Sequence, residues 1–296
     1  MLKAVVLTDN HPGSLTGEWG LSVYIEFNGA RILLDAGASG LFAQNARDLE
    51  LDPANVDLAV LSHAHYDHAD GLERFFALND HAKLYLRASC KEDCWAMKNG
   101  VMEYIGLPLG FTERYADRLV SVDGDPEILP GVTLLSNKNP HSAAIGQKEH
   151  LYRLPAADPA CEAALASRTA GRPGFSTDGT VPACFVPDDF SHEQSLIFHT
   201  QQGLVIFNSC CHAGAANVIT AVAQAFPSEP LLALIGGFHL YQTPDEEVLA
   251  LAEQIRATGI RTVVTGHCTG DRALELLSSA LGPALVPLYA GCVLSF

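Results

Sequence analysis

The run Ser62-His63-Ala64-His65-Tyr66-Asp67-His68 constrains this chain more than any other stretch. It follows directly on Val56-Asp57-Leu58-Ala59-Val60-Leu61, a short apolar segment that reads as a buried strand. Side chains two apart on extended backbone point to the same side, so His63 and His65 can grip one cation. Asp67 and His68 fall in the turn that follows and can face a second cation nearby. Imidazole and carboxylate together suit zinc, manganese or iron(II). A solvated His-rich turn is the bland alternative, but four ligand-type side chains within six residues are rare by chance. Two cations need more ligands than one turn supplies, so the fold has to bring other strand tips to this one.

Three strand-like runs in the last third end in a histidine. Gly203-Leu204-Val205-Ile206-Phe207-Asn208 leads into Ser209-Cys210-Cys211-His212-Ala213-Gly214. Leu231-Leu232-Ala233-Leu234-Ile235 leads into Gly236-Gly237-Phe238-His239-Leu240, and Arg261-Thr262-Val263-Val264-Thr265 into Gly266-His267-Cys268-Thr269-Gly270. A lone histidine is ordinarily a packed or capping one; three of them after three strands, beside the first run, reverse that preference. His212 and His267 therefore read as metal ligands, and Cys210 as a ligand or a neighbour of the site. His239 follows a glycine pair that lets backbone approach a ligand closely, and reads as a pocket residue: a general acid, a ligand or a substrate contact. His192 precedes a strand and reads equally as a ligand, a substrate holder or an exposed loop residue. His11, His81, His141, His150 and His199 have no supporting context and read as surface residues. Cys90 and Cys94 have the spacing of half a zinc knuckle with no second half, so they read as structural. No Gly-Lys-Ser/Thr phosphate loop is present.

The rest of the chain reads as a mixed α+β domain. Leu21–Phe27 alternates apolar and polar residues, Asn28-Gly29 is a hairpin turn, and Arg31–Asp35 is the return strand. Helices are expected over 41–50, from Gly71, over 213–225, over 244–258 with Thr243 as N-cap, and over 271–281. Residues 88–186 lack a strong pattern and are broken by Pro155, Pro159, Pro173 and Pro182. They read as an insertion of loops and short helices that shapes the substrate pocket, with 170–182 as its mobile loop. The whole of 1–296 is expected to be one domain with β-then-α halves, a two-layered sheet core covered by helices.

Charge and cysteine usage bound the partners. The net charge of -16 makes nucleic acid and anionic lipid poor partners and leaves a small-molecule substrate. No segment is apolar enough to span a membrane, and the start Met1–Asp9 is no export signal, so a cytoplasmic location with the eight cysteines as thiols is expected.

Taken together, Leu33-Leu34-Asp35-Ala36-Gly37, the His63–His68 run and the blocks around His212, His239 and His267 resemble the metallo-β-lactamase superfamily. Within it they are similar to the branch of 7,8-dihydropterin-6-methyl-4-(β-D-ribofuranosyl)aminobenzene-5′-phosphate synthase-like proteins. The resemblance spans nearly the whole chain and is weakest over 88–186. It implies a four-layer αββα sandwich with a two-metal site at one edge of the sheets, most readily zinc, with manganese or iron as alternatives. His63, His65, Asp67, His68, His212 and His267 are the implied ligands, and Ser209-Cys210-Cys211 stands where the superfamily usually has a bridging aspartate. The expected activity is hydrolysis of an ester, lactone, amide or phosphodiester by metal-activated water, with Asp67 orienting the nucleophile and His239 or a cation stabilising the oxyanion. A pterin-metabolism transferase acting on a phosphorylated substrate is the alternative, favoured by a cationic pocket built from residues such as Lys98, Arg87 or Arg153. A non-hydrolytic iron-binding or redox protein is the third reading.

Overall fold

Strand Leu2–Thr8 divides its side chains between two cores: Leu2, Ala4 and Val6 join one buried cluster, Val5 and Leu7 another. Strand Gly203–Phe207 does the same, with Val205 and Phe207 in the first of these clusters and Leu204 and Ile206 in a third. Period-two alternation of apolar residues on both faces requires cover on both sides of a sheet. The protein meets it with four layers. The computed structural model describes residues 1–155 and 173–296.

The first sheet has seven strands in the order Val293–Ser295, Leu2–Thr8, Ser22–Phe27, Ala30–Leu34, Leu58–Val60, Lys83–Arg87 and Leu119–Val122. The second also has seven: Leu285–Pro287, Thr262–Thr265, Leu231–Gly236, Gly203–Phe207, Gln194–Thr200, Val132–Ser136 and Glu127–Leu129. Their facing sides enclose Val23, Ile25, Ile32, Leu134, Phe198 and Phe207. Helices Leu41–Asp48 and Leu72–Leu78 cover the outer face of the first sheet through Phe42, Ala46, Leu72 and Phe75. Helices Ala215–Ala225, Asp245–Ala257 and Asp271–Leu281 cover the outer face of the second through Val218, Val222, Val248, Ile255 and Leu277. The expected αββα sandwich is the fold observed.

Strand direction positions the site. Ala30–Leu34 and Leu58–Val60 are parallel neighbours, so Asp35 and the His63 run leave the first sheet at the same edge. Gly203–Phe207, Leu231–Gly236 and Thr262–Thr265 are parallel neighbours in the second sheet, so the loops carrying His212, His239 and His267 leave together. Loops at the ends of parallel strands are where such folds assemble reactive groups.

Residues 88–186 hold expected short helices, Phe111–Arg114 and Ser142–Lys148, but also more strand than expected. Among their described residues is a third, five-stranded antiparallel sheet: Gly174–Ser176, Val101–Tyr104, Asp93–Lys98, Leu151–Leu154 and Val186–Pro187. It has its own aromatic cluster of Trp95, Tyr104, Tyr152 and Phe185. The same stretch also gives strands to both main sheets. Its strands are short, two to six residues each, so the sequence pattern is weak while their pairing is not. The expected mobile loop lies partly outside the described residues; from Gly174 to Ser176 it is strand, paired to Val101–Tyr104.

Two local expectations are corrected. The helix Asp245–Ala257 is capped by Pro244, with extended backbone and no side-chain cap, rather than by Thr243; the acidic residues Asp245, Glu246 and Glu247 favour its N-terminal dipole instead. Cys184 is disulfide-bonded, whereas Cys90, Cys94, Cys210, Cys211, Cys268 and Cys292 are free thiols. Among the described residues no helix is long and apolar enough to cross a membrane.

Candidate metal centre

Two groups of ligand-type side chains meet at the shared edge of the sheets. In the first, the ligand atoms of His63, His65 and His212 lie within 4.8 Å of one another, and all three residues are buried. Their ring centroids are 4.7 Å (His63–His65), 5.1 Å (His63–His212) and 4.9 Å (His65–His212) apart. Nε2 of His63, Nε2 of His65 and both ring nitrogens of His212 are buried without a hydrogen-bond partner. Burial, reinforced by the neighbouring imidazoles, holds His63 and His65 well below the ordinary histidine pKa and takes His212 down to about 3. Rings so shifted are neutral near pH 7, and each neutral imidazole has one nitrogen lone pair to offer. Orphaned buried polar atoms cost free energy, and a cation is the partner that satisfies several imidazole lone pairs at once.

The second group is Asp67, His68 and His267, again within 4.8 Å. Nε2 of His68 and Nε2 of His267 are 3.2 Å apart, and Asp67 Oδ2 is 3.7 Å from each. Cys210 Sγ lies 3.2 Å from His68 Nε2 and 3.4 Å from Cys268 Sγ. His63, His68 and Cys210 also form a close set, so Cys210 stands between the two groups. Burial opposes charge on His68, but Asp67 and Asp35 outweigh it and raise its pKa to about 9. Burial drives His267 well below the ordinary range.

Carboxylates behind these side chains fix their orientation. Asp35 accepts from Ser62 N (2.7 Å), Ser62 Oγ (2.6 Å) and Ser209 Oγ (2.6 Å), and its Oδ2 is 2.8 Å from His68 Nδ1. That turns Nε2 of His68 toward His267. His267 Nδ1 meets Asn10 Oδ1 at 3.0 Å, and Glu193 accepts from the backbone N–H of His212 at 2.7 Å. Asp35, His239 and His267 all adopt φ near +50°, a region non-glycine residues rarely occupy and one that clusters at functional sites.

His192 is buried beside His65, but both of its ring nitrogens are engaged. Nδ1 accepts from Ala64 N at 3.2 Å, and Nε2 meets Asp188 Oδ2 at 3.0 Å. The ring thus holds the backbone between His63 and His65, and Asp188 is held by the guanidinium of Arg153.

His239 lies on the wall of a cavity of about 300 Å³ that also borders His212, Glu149, Phe238 and Tyr241. Its Nε2 is 3.5 Å from Glu149 Oε2, which in turn is 3.7 Å from His212 Nδ1. Burial opposes charge on His239, but Cys268 and Glu149 raise its pKa to about 9; burial also raises that of Glu149. The pair sits where a proton can be held at the edge of the histidine cluster.

The structure therefore gathers His63, His65, Asp67, His68, His212, His267 and Cys210 at one place, with His239 at its rim and His192 behind it. His81, His141 and His150 are exposed, as expected. His11 and His199 are partly buried and paired, His11 with Asp9 and Asp271 and His199 with Glu229. The suggested phosphate-binding cations are occupied elsewhere: Arg87 pairs with Asp125, Arg153 with Glu92 and Asp189, and Lys98 with Glu103. The sequence pattern does not single out Glu149, Asp188 or Asn10. Cys268 carries one usable signal, since it follows His267 directly; Glu149 lies in the weakly patterned region and gives none.

Known proteins are similar to this chain in sequence and in architecture. Residues 16–146 match the metallo-β-lactamase superfamily. Over its full length the chain is 23% identical to the 7,8-dihydropterin-6-methyl-4-(β-D-ribofuranosyl)-aminobenzene-5′-phosphate synthase of Methanocaldococcus jannaschii, covering 97% of that protein. The crystal structure of a metal-dependent hydrolase of the β-lactamase superfamily superimposes with a TM-score of 0.76 at 25% identity, covering 100% of this chain and 99% of that one. A diphosphatase of the PhnP family shares the fold at a TM-score of 0.53 and 13% identity, covering 100% of this chain and 98% of that one.

Proposed function

From the membership of this chain in the metallo-β-lactamase superfamily, we propose that it is a metal-dependent hydrolase with two divalent cations at the sheet edge, zinc first among them. The observation that carries this reading is the set of buried, unpartnered imidazole nitrogens on His63, His65 and His212. In this reading those three residues hold one cation, while Asp67, His68 and His267, with Cys210 between the groups, hold the other. Such cations supply Lewis acidity, making water a nucleophile near neutral pH and polarising the bond it attacks.

The chain's own residues do the rest. Asp67, at the mouth of the second group, accepts a proton from the attacking water and orients it. Asp35, Glu193 and His192 keep the histidines from reorienting when substrate enters. His239 and Glu149, facing each other across the cavity rim, hold a proton for the leaving group or the developing oxyanion. The cavity walls of Ile145, Phe238 and Leu251 favour an apolar portion of a small molecule. Ile145 and Glu149 come from the 88–186 region, which supports its role in shaping the pocket.

Enzymes of this superfamily act on small molecules, some of them phosphorylated; an ester, lactone, amide or phosphodiester is the proposed reacting centre. The synthase of Methanocaldococcus jannaschii favours a second reading, a transferase of pterin metabolism. The pairing of Arg87, Arg153 and Lys98 with carboxylates weighs against the phosphate pocket which that reading drew from them. The test is turnover on ester, lactone and phosphodiester substrates by zinc-loaded protein and by His63→Ala and Asp67→Ala. Loss of hydrolysis in both variants with the circular dichroism unchanged is expected; undiminished turnover would reject the proposal. A wild-type protein inert on the whole panel but forming the synthase product would favour the transferase.

A further inference from the structure

The second group contains more than its imidazoles and carboxylate. Two sulfurs, from residues 58 positions apart, meet there at 3.4 Å. Both cysteines are buried, Cys210 at 2% and Cys268 at 1% exposure. The separation is far longer than the roughly 2.05 Å of a disulfide, so the two are distinct thiols. Ordinary core cysteines pack among apolar side chains. These two face imidazole nitrogens: Cys210 Sγ is 3.2 Å from His68 Nε2, and the ligand atoms of Cys210, His267 and Cys268 lie within 4.8 Å of one another.

The distances have a simple reading. Zinc bonds of about 2.0–2.3 Å to nitrogen and sulfur place ligand atoms about 3.3–3.8 Å apart along the edges of a tetrahedron. The contacts here are 3.2 Å (His68–His267), 3.2 Å (Cys210–His68) and 3.4 Å (Cys210–Cys268), which a slight expansion around a central ion would bring to those values. Backbone geometry supports the same arrangement. Gly237 passes so close to Cys268 that a Cβ there would lie 2.6 Å from Sγ, and the His239 N–H points at the same sulfur from 3.2 Å. The sulfur therefore sits in the space that the missing side chain leaves, held by the His239 N–H beside Cys210 and His267.

We propose that Cys268 is a metal ligand and that, with Cys210, His68 and His267, it makes the second cation site a two-thiolate site selective for thiophilic ions. Soft sulfur favours zinc, iron(II) or cobalt(II) over manganese or magnesium. Asp67, 3.7 Å from both imidazoles, adjoins these four side chains and keeps the role given it above. The inference rests on the two-cation reading above but concerns which atoms hold the second ion.

The test is cobalt substitution of the metal-free full-length protein, read by near-ultraviolet sulfur-to-cobalt charge-transfer absorption. Each thiolate adds to that band, so Cys268→Ser is expected to keep about half of it and Cys210→Ser/Cys268→Ser none. In unmodified protein, zinc should shield both thiols from a thiol-titrating disulfide reagent, a readout that requires no variant to fold. Cobalt bound at two ions per chain with no charge-transfer band would overturn the proposal while leaving the two-cation reading standing. So would a band of full intensity in Cys268→Ser, or two thiols titrated equally fast with and without zinc. Failure to take up cobalt at all would sink both readings.

Discussion

Asp35 and His68, at the tips of neighbouring segments, meet at 2.8 Å between Oδ2 and Nδ1, with neither side chain exposed to solvent. The carboxylate also gathers the hydroxyls of Ser62 and Ser209, one following a strand of each main sheet, so a single residue ties the two halves of the site together. Metal-binding histidines commonly donate their other ring N–H to a carboxylate, which fixes the tautomer and raises the basicity of the coordinating nitrogen. Asp35→Asn preserves shape and removes the charge. It is expected to weaken zinc binding by about 10–100-fold, measured by competition with a chromophoric chelator. An unchanged affinity would reduce Asp35 to a purely structural tie.

The inter-sheet core gives an independent prediction about stability. Phe198 is fully buried between the sheets and makes edge contacts with Phe27 and Phe207 at centroid distances of 5.1 and 5.6 Å. Phe198→Ala should cost about 3–5 kcal/mol in urea unfolding, because rigid strands on both sides limit collapse into the cavity. Zinc content of the folded fraction should not change, since the ring packs in the inter-sheet core rather than at the strand tips. A loss below about 1 kcal/mol would mean that the sheets close over the gap.

His11 predicts a pH dependence. A hydrogen bond to Asp9 dominates, burial opposes, Asp271 adds to it, and the pKa rises to about 9. A pKa raised on folding means that the charged ring stabilises the native state. The contribution is complete below the unfolded value of about 6.5 and disappears as pH climbs through 9. The ring is partly exposed, so the effect should be that of a screened pair, about 0.5–1 kcal/mol. His11→Gln should lower the thermal midpoint at pH 6 and match the wild type at pH 10. An equal deficit at both pH values would assign the effect to packing.

How much of this is legible in the sequence depends on how local the signal is. The period-two runs at Leu21–Phe27 and Gly203–Asn208 mark strands buried on their faces, and the parallel order of the last three strands follows from the helices between them. The clustering of His63, His65, His68, His212 and His267 is readable because each sits a few residues beyond an apolar run, at a strand tip. The third sheet is not, because Asp93–Lys98 and Val101–Tyr104 are short and depend on partners such as Leu151–Leu154 that lie far along the chain. Long-range pairing hides other roles as well. Arg87 and Arg153 look like free cations in sequence, yet carboxylates at Asp125 and Asp189 claim them. Nothing local distinguishes Glu149 from any surface glutamate; only the fold turns it toward His239.

The paired glycines before His239 also acquire separate tasks. Gly236 has φ of +146°, and a Cβ there would stand 1.8 Å from Asn208 O, so the chain can cross the neighbouring strand only without a side chain. Gly237 has no such φ demand. A Cβ on it would instead meet Cys268 Sγ at 2.6 Å, Ser209 O at 3.0 Å and the His267 ring at 3.1 Å, all of them at the second ligand group. Two different defects should result. Gly236→Ala should act on folding, lowering the thermal midpoint of the metal-free protein. Gly237→Ala should cost the metal-free protein less than Gly236→Ala does, because its tightest contact is a side-chain sulfur rather than backbone, and should weaken retention of the second cation. Zinc stoichiometry after dialysis against a weak chelator separates them: about one ion per chain is expected for Gly237→Ala against two for the wild type. If Gly237→Ala retained both ions, the sulfur and ring it displaces would not be needed to hold a cation.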